Sequence, residues 1–197
     1  MATLTAVIAD VRSRLKDAAS PQVFTTTELT TFIADAVTGL YPALYTYKVG
    51  TTTASAGPLQ QNPVGGLQFY AVSVQNVGST RARPIRGWHE GAGQSFIPKT
   101  NISGQTLVWA WSAPFAAPIA GPDELEVPLW GLELVKIRAE ITALEQILTN
   151  RVKNQKYFAS SVREGVTEQE IDTTLNALHA SMEARIKHVV PLPQKVG

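Results

Sequence analysis

The sequence LVWAWSAPFAAPIAGPDELEVPLW, residues 107–130, separates a part of the chain with strand patterns from a part with helix patterns. It begins with an apolar segment, residues 107–111, that is typical of a short strand. Prolines follow at positions 114, 118 and 122. Because proline lacks a backbone donor, these positions disfavour regular structure. An acidic turn at 123–126 then leads into a helix that we predict over residues 129–158.

Three further segments have the periodicity of amphipathic helices. The first spans residues 3–16. The second and the last each follow a capping-box sequence, Thr25-Thr-Thr-Glu28 and Thr167-Glu-Gln-Glu170. In a capping box the hydroxyl and the carboxylate each accept the backbone amide of the other residue, which fixes the start of the helix. The helix predicted over 129–158 has an apolar stripe wider than one amphipathic face requires.

The segment between the second helix and residue 111 has strand patterns. Residues 69–77 form the strongest of these, with Phe69, Ala71 and Ser73 predicted on one face. Residues 50–66 are rich in Thr, Ser, Gly and Pro and have no apolar period. We therefore predict a long loop there, mobile unless a partner orders it. The whole segment predicts a small antiparallel module of about four or five strands.

The predicted fold class is α+β, a mainly helical bundle with an inserted antiparallel β-module and an extended C-terminal tail. The bundle comprises residues 1–44 and 112–188, and the module comprises residues 45–111 with the flexible loop 50–66. Residues 189–197 form the tail, because their two prolines exclude a helix. Three or four amphipathic helices, two of them wide-faced, share one modest module, so we expect apolar surface to remain for neighbouring copies.

Composition narrows the classes of partner. The chain has 197 residues, 44% of them hydrophobic and 17% charged, with a formal net charge of +1. This balance predicts no bulk attraction to nucleic acid or to a membrane surface. The absence of cysteine excludes disulfides and thiolate metal sites. No apolar run approaches the roughly 18–20 residues of a membrane span, so no membrane association is expected.

No catalytic motif is present in the sequence. His179 and His188 are nine residues apart, which is not the spacing of a helical zinc pair. His89 and Glu90 are adjacent in a predicted turn, where a small hydrolase site would still need a third partner. We predict no metal site, no cofactor and no enzymatic activity, and a hydrolase around His89 and Glu90 is the alternative.

Four tryptophans need an explanation. Trp109 and Trp111 share one face of a predicted strand, so they could line a sugar-binding platform or seal a core or subunit interface. The second interpretation is favoured because no cluster of Asn, Asp and Arg flanks them. The residues that we predict to pack within the subunit or between subunits are Trp109, Trp111, Trp130, Leu134, Ile141 and Leu148.

Four segments, in this order, carry a resemblance to a known family. They are FTTTELTTFIADAVTGLYPALY (24–45), RPIRGWHEGAGQSFIP (83–98), LVWAWSAPF (107–115) and DELEVPLWGLELVKIRAEITALEQIL (123–148). The pattern resembles the head–tail connector (adaptor) proteins of tailed bacteriophages and gene-transfer agents. In that family an acidic-aliphatic turn with a Pro-x-Trp/Tyr sequence leads into the long helix, as Pro128-Leu129-Trp130 does here.

The resemblance implies a homo-oligomeric ring, usually of twelve copies, in the neck of a virion assembled in the host cytoplasm. Its partners would be the portal protein above and a tail or stopper protein below. Double-stranded DNA would pass through the lumen without sequence-specific binding. The residues implied to dock on the portal are Val189, Val190, Pro191, Leu192 and Pro193, and the 50–66 loop would reach a neighbour or the tail.

Two alternative functions remain open at this point. The first is another neck protein, such as a stopper or tail-completion protein, although those are usually richer in strand. The second is a virion decoration or glycan-binding module that uses Trp88, Trp109 and Trp111.

Overall fold

The computed structural model describes residues 2–17, 22–63, 68–91, 93–98, 101–119, 124–159 and 166–189. The fold is α+β, as predicted. Within these residues the helices are α1 (Leu4–Arg14), α2 (Thr26–Gly39), α3 (Leu129–Thr149), α4 (Arg151–Phe158) and α5 (Glu168–Lys187). The strands are β1 (Ala2–Thr3), β2 (Thr46–Thr53), β3 (Leu59–Gln61), β4 (Phe69–Gln75), β5 (Ala82–Pro84), β6 (His89–Glu90), β7 (Gln94–Phe96), β8 (Thr106–Ala113) and β9 (Glu124–Leu125).

The chain divides into two compact units. The helical unit lies within Met1–Leu44 and Pro114–Val190, and the β-unit lies within Tyr45–Ala113. Each unit has its own cluster of buried apolar side chains. One cluster is built on the helices and the other on the strands.

Local capping fixes where two of the helices begin. The Thr25 hydroxyl accepts from the Glu28 amide at 3.2 Å, and the Glu28 carboxylate accepts from the Thr25 amide at 2.8 Å. Thr167 and Glu170 make the same reciprocal pair at the start of α5. Both predicted capping boxes are confirmed. They form because each needs only residues three positions apart.

The prediction of one continuous helix over residues 129–158 is wrong, because two helices, α3 and α4, occupy this segment. Asn150 separates α3 from α4 and has an extended backbone, with φ −105° and ψ 107°. Its side-chain oxygen accepts from the amides of Val152 and Lys153, at 3.0 and 3.2 Å. An asparagine that caps the following turn competes with continuation of the helix, even where the apolar pattern runs on.

The start of α3 lies tightly against the segment that follows α2. A Cβ added at Gly131 would collide with the Leu44 side chain and approach Val127 at 3.0 Å. Leu44 itself is fully buried. The missing side chain at position 131 therefore lets the first turn of α3 lie directly on Leu44 in the helical core.

The predicted acidic turn at 123–126 is partly a strand. Glu124 and Leu125 form β9, which pairs antiparallel with Ala2 and Thr3 of β1. Leu125 is buried in the helical core, which explains why this acidic segment is held in an extended form. Asp123 lies outside the described residues.

The predicted loop at 50–66 is wrong over two stretches. Residues 50–53 continue β2, which pairs with β8 along all eight of its residues, and residues 59–61 form β3, which pairs with β7. The threonines of β2 fit a pleated surface even without an alternating apolar pattern. Residues 64–67 lie outside the described part of the chain.

The β-unit has more strands than the four or five predicted. One sheet has the order β2-β8-β4-β5 and the other β3-β7-β6, with antiparallel pairing throughout. The predicted face of Phe69 is wrong, because β4 contains a bulge. Phe69 pairs with Trp111 but Ala71 pairs with Ala110. The extra residue puts Phe69 in the same buried cluster as Val72 and Val74.

Candidate assembly surfaces

A charged network connects α1 to α3 in the helical unit. Arg14 lies 2.9 Å from Glu133 and 3.8 Å from Glu140, and Lys136 pairs with Asp10. The hydrogen bond from Lys136 lowers the pKa of Asp10. Burial raises the pKa of the Glu140 carboxyl, and the nearby Arg14 only partly opposes this effect. These side chains contact one another across the two helices, so the network is a structural contact between α1 and α3.

A buried ion pair holds the end of α1 against the start of α2. Arg12 lies 3.1 Å from Asp17, and the Asp17 side chain is fully buried. The Asp17 carboxylate also accepts from the amides of Val23 and Phe24, at 2.7 and 3.2 Å. The Arg12 guanidinium donates in addition to the carbonyl of Phe24 at 2.9 Å. The pair therefore has the hydrogen bonds that a buried charge needs.

A second ion pair joins α4 to α2. The Lys153 ammonium lies 2.5 Å from Glu28 and 4.4 Å from the centre of the Phe24 ring, a cation–π distance. Burial opposes ionisation of Glu28, but the hydrogen bonds from Lys153 and Thr25 prevail and lower its pKa. The short α4 is thus fixed to the bundle by a polar contact.

One exposed apolar surface of the helical unit lies at the start of α3. Leu129 is 83% exposed and Trp130 is 50% exposed. A cavity of about 300 Å³ opens beside Trp130 and is lined also by Leu134, His188 and Val189. Apolar side chains at this exposure, next to a concave surface, are typical of a contact with another molecule.

The predicted portal-docking segment is described only at its first residue. Val189 packs against the helical core and lines the cavity beside Trp130. Val190, Pro191, Leu192 and Pro193 lie outside the described residues. Their role in docking stays a prediction.

The structure places the predicted packing residues in different environments. Leu134 and Ile141 are buried in the helical core, and Leu148 packs against it from a partly buried position. Trp109 and Trp111 are buried in the β-unit, whereas Trp130 is half exposed. Whether any of these side chains contacts another subunit stays a prediction.

The β-unit does not offer a tryptophan platform. Trp88, Trp109 and Trp111 are 1%, 0% and 7% exposed. The Trp109 indole donates to the Thr52 hydroxyl at 2.7 Å, and its ring meets Phe69 edge-on at 5.5 Å. The alternative of a sugar site on these three side chains is wrong, because all three are packed into the buried apolar cluster of the β-unit.

The three-stranded sheet of the β-unit is polar inside and apolar outside. Gln60 and Ser95 pair across β3 and β7 and are 1% and 0% exposed. Ser95 donates to the buried Asn62 at 2.7 Å. On the other face Leu59, Phe96 and His89 lie directly opposite one another across the three strands. Leu59 is 56% exposed and Phe96 41% exposed, an arrangement that sequence periodicity did not reveal.

The residues considered for chemistry are not assembled into a site. His89 is exposed and stacks on Phe96 with ring centres 6.4 Å apart. His179 faces Glu145 at 3.8 Å. Among the described residues there is no group of three or more His, Asp or Glu side chains that could hold a metal ion. Within the same residues, no helix combines the length and apolar character of a membrane span.

A cleft of about 610 Å³ in the helical unit is the candidate small-molecule site. Its lining includes Arg14, Glu140, Tyr157 and Thr174. Arg14 and Glu140 belong to the network between α1 and α3 described above, and the Thr174 hydroxyl donates to the carbonyl of Glu170 at 2.8 Å. These three polar side chains therefore already make ion pairs or hydrogen bonds within the protein.

No protein-family model matches the sequence, and no curated protein matches it. Among solved structures, the chain is similar to a chain from the neck of an empty GTA particle computed with C6 symmetry. The two are 14% identical, with a TM-score of 0.33, and the match covers 68% of this chain and 74% of the other. A similarity of this size does not establish a family.

Proposed function

We propose that this chain is a structural virion protein, the adaptor subunit of a ring that joins the portal vertex to the tail and extends the DNA channel. The proposal rests on the order of segments in the sequence. A capped helix precedes an inserted β-unit, and the turn Pro128-Leu129-Trp130 opens the long helix, as in the connector family. The ring, its twelve-fold copy number and its location in the neck follow from that resemblance.

The exposed apolar surface at the start of α3 supports a role in assembly. Leu129 and Trp130 project from the residues that form this turn. Val189, the first residue of the predicted docking segment, lines the same cavity as Trp130. We propose that this surface and residues 190–197 together contact the portal.

The charge of the chain is compatible with a DNA channel. A formal net charge of +1 gives no bulk attraction that would retain phosphates, and DNA must move through such a lumen. We propose a non-enzymatic role without cofactor, because the polar groups of the clefts and networks described above serve packing.

The direct test is binding to the portal protein encoded by the same genome. The full chain should co-sediment with portal rings, and averaged images of the complex should show a ring of this protein below the portal. A chain ending at residue 189 should lose this binding while keeping its helical circular dichroism spectrum. Density for this protein in the capsid shell or in a tail fibre would refute the proposal, and density one layer below the adaptor would indicate a stopper.

A matched pair of variants tests the α3 surface. Leu129→Ser should weaken portal binding about tenfold or more, because it removes an exposed apolar contact at the proposed interface. Val152→Ser changes a comparably exposed apolar residue on α4, 60% exposed, and should leave binding unchanged. Equal effects of the two substitutions would exclude the α3 surface as the portal contact.

A further inference from the structure

The strand β2 is a long edge strand without the usual protection. Within the described residues its only strand neighbour is β8, and it is eight residues long. Natural edge strands are protected by proline, by charge, by a bulge or by short length. β2 contains no proline, pairs in a regular register and has one charged residue, Lys48. The opposite edge, β5, is three residues long and ends at Pro84.

The backbone groups that face the free edge can be identified. The Ala54 amide donates to the carbonyl of Gln105 at 2.8 Å, and the Ala54 carbonyl accepts from Gly104 at 2.9 Å. Residue 54 thus directs its backbone groups toward the β8 side. Because alternate residues of an antiparallel strand bond to opposite sides, the even-numbered residues of β2 also bond to β8. The free edge presents the amides and carbonyls of Tyr47, Val49, Thr51 and Thr53.

The side chains of these four residues lie on one uncharged face of the sheet. Tyr47 is 56% exposed and Val49 is 59% exposed. Their partners across β8 are Ser112, Ala110, Val108 and Thr106. Lys48 lies on the other face, with Gly50 and Thr52, because successive side chains alternate. A partner that fits this edge is an extended strand with uncharged, β-branched side chains, because it can bond to the free backbone groups and pack on the uncharged face.

We propose that β2 pairs antiparallel with β2 of a second copy of this chain, about a two-fold axis at Gly50. In this register Tyr47 pairs with Thr53 of the second copy, and Val49 pairs with Thr51 of the second copy. All four outward residues of both copies then form hydrogen-bonded pairs. The cross-strand pairs are aromatic or β-branched, which are favourable combinations on a shared face.

The charge and the glycine of β2 select this register. With the axis at Gly50, Lys48 lies opposite Thr52 of the second copy. With the axis at Lys48, the two ammonium groups would lie opposite each other and Thr51 and Thr53 would remain unpaired. A Cβ at Gly50 would lie 2.7 Å from the Trp111 ring, so the indole occupies the inner face at the axis. At the axis, Gly50 of one copy lies opposite Gly50 of the second copy, so no side chain of β2 lies between the two strands.

The pair is independent of the proposed role in the neck. A two-fold contact uses the same strand on both copies, whereas a ring is built from contacts between different surfaces of successive copies. The β2 pair is therefore a form of the free protein, in which an aggregation-prone edge is covered before assembly. Portal binding and β2 pairing can fail separately.

The mass of the free protein in solution tests the pairing. Sedimentation equilibrium should give twice the chain mass of 21.3 kDa at high concentration. Val49→Pro removes an amide that faces the free edge and none that bonds to β8, so it should give a monomer with an unchanged circular dichroism spectrum. Thr51→Pro is the second variant if Val49→Pro does not fold. The matched pair Val49→Lys and Val77→Lys changes two exposed valines, and only the first should weaken pairing.

The register is tested by a distance. The chain has no cysteine, so Thr53→Cys provides a unique site for a spin label. In the proposed register the two Cα atoms of residue 53 are about 20 Å apart, from six residues of offset along the strand. A distance in this range that disappears in Val49→Pro supports the pair. A monomer at all concentrations, a dimer that persists in Val49→Pro, or a strand of another protein on this edge would overturn the proposal.

Discussion

The two units of this protein each have an apolar core but differ in where their polar contacts lie. The helical unit connects its helices through ion pairs such as Arg14–Glu133 and Lys153–Glu28. The β-unit buries Gln60 and Ser95 and exposes Leu59, Phe96 and Val49.

The difference follows from how the two kinds of backbone satisfy their hydrogen bonds. A helix satisfies its interior amides internally, so the helical unit needs only to cover an apolar stripe. A sheet leaves amides at its edges and two faces to cover. The small β-unit therefore retains strand edges and sheet faces suited to further contacts. The helical unit exposes apolar side chains at Leu129 and Trp130 and also at Ile119 and Val152.

The largest loss of stability is expected at the buried ion pair of the helical unit, where a polar contact lies inside the apolar core. Asp17→Ala should lower the free energy of unfolding by about 4–5 kcal/mol, in the upper part of the range for breaking a buried pair. It leaves Arg12 charged and buried and removes the acceptor of two amides. Urea unfolding measures the loss. Asp35→Ala, at an exposed position of α2, is the control and should stay within about 0.5 kcal/mol of the original.

The corresponding test in the β-unit is substitution of the buried Trp109. Trp109→Ala should cost about 3–4 kcal/mol, because it opens a cavity among Phe69 and its neighbours and leaves Thr52 without its indole donor. Trp130→Ala removes the same side chain from a half-exposed position of the helical unit and should cost much less. Thermal unfolding of both variants gives the comparison. Equal losses would contradict the different burial of the two indoles.

A smaller effect is expected at the break between α3 and α4. Asn150→Ala removes the side chain that caps α4 and should cost about 1 kcal/mol. Asn150→Asp keeps an acceptor oxygen at the same position and should retain most of the stability. If alanine and aspartate were equivalent in urea unfolding, the cap would not be what ends α3.

The smallest effects concern pH and should have opposite signs at two carboxyls of one network. The pKa of Asp10 is lowered by Lys136, so its contribution to stability is present at neutral pH and is lost as pH falls through its folded pKa. The pKa of Glu140 is raised by burial, so its ionisation as pH rises opposes folding.

We therefore expect Asp10→Asn to destabilise the protein at pH 7 and Glu140→Gln to stabilise it. Both differences should shrink as the pH falls into the range where carboxyls are protonated. Thermal unfolding between pH 3 and 7, roughly the range over which carboxyls titrate, measures both. A stabilising Asp10→Asn would contradict the assigned contacts.

What the sequence predicted correctly depended on short-range interactions. The capping boxes at Thr25 and Thr167 involve residues three positions apart, and the α+β class follows from the change in periodicity along the chain. The break at Asn150 was missed because the apolar stripe runs through it. The cap that ends α3 is a single side chain.

The errors in the β-unit arose from pairing between distant segments. The Thr-rich residues of β2 are ordered by β8, more than fifty positions away in the sequence, and they have no alternating apolar pattern that marks them as a strand. The bulge between Phe69 and Ala71 moves Phe69 to the face of Val72 and Val74, opposite to the predicted face, and only the partner strand reveals it. The tryptophan platform failed for the same reason, since burial of Trp109 depends on β4 and β2 together.

The first and last residues of the main sheet have a consequence for how this protein could have arisen. Thr46, near the start of the β-unit, pairs directly with Ala113 at its end, so the chain enters and leaves the unit at adjacent points. Paired residues in an antiparallel ladder have Cα atoms about 5 Å apart, a gap that a few residues can span. The segment from Tyr45 to Ala113 thus has the geometry of an insertion that recombination could add to, or remove from, a shorter ancestor made of the helical unit, at a single position.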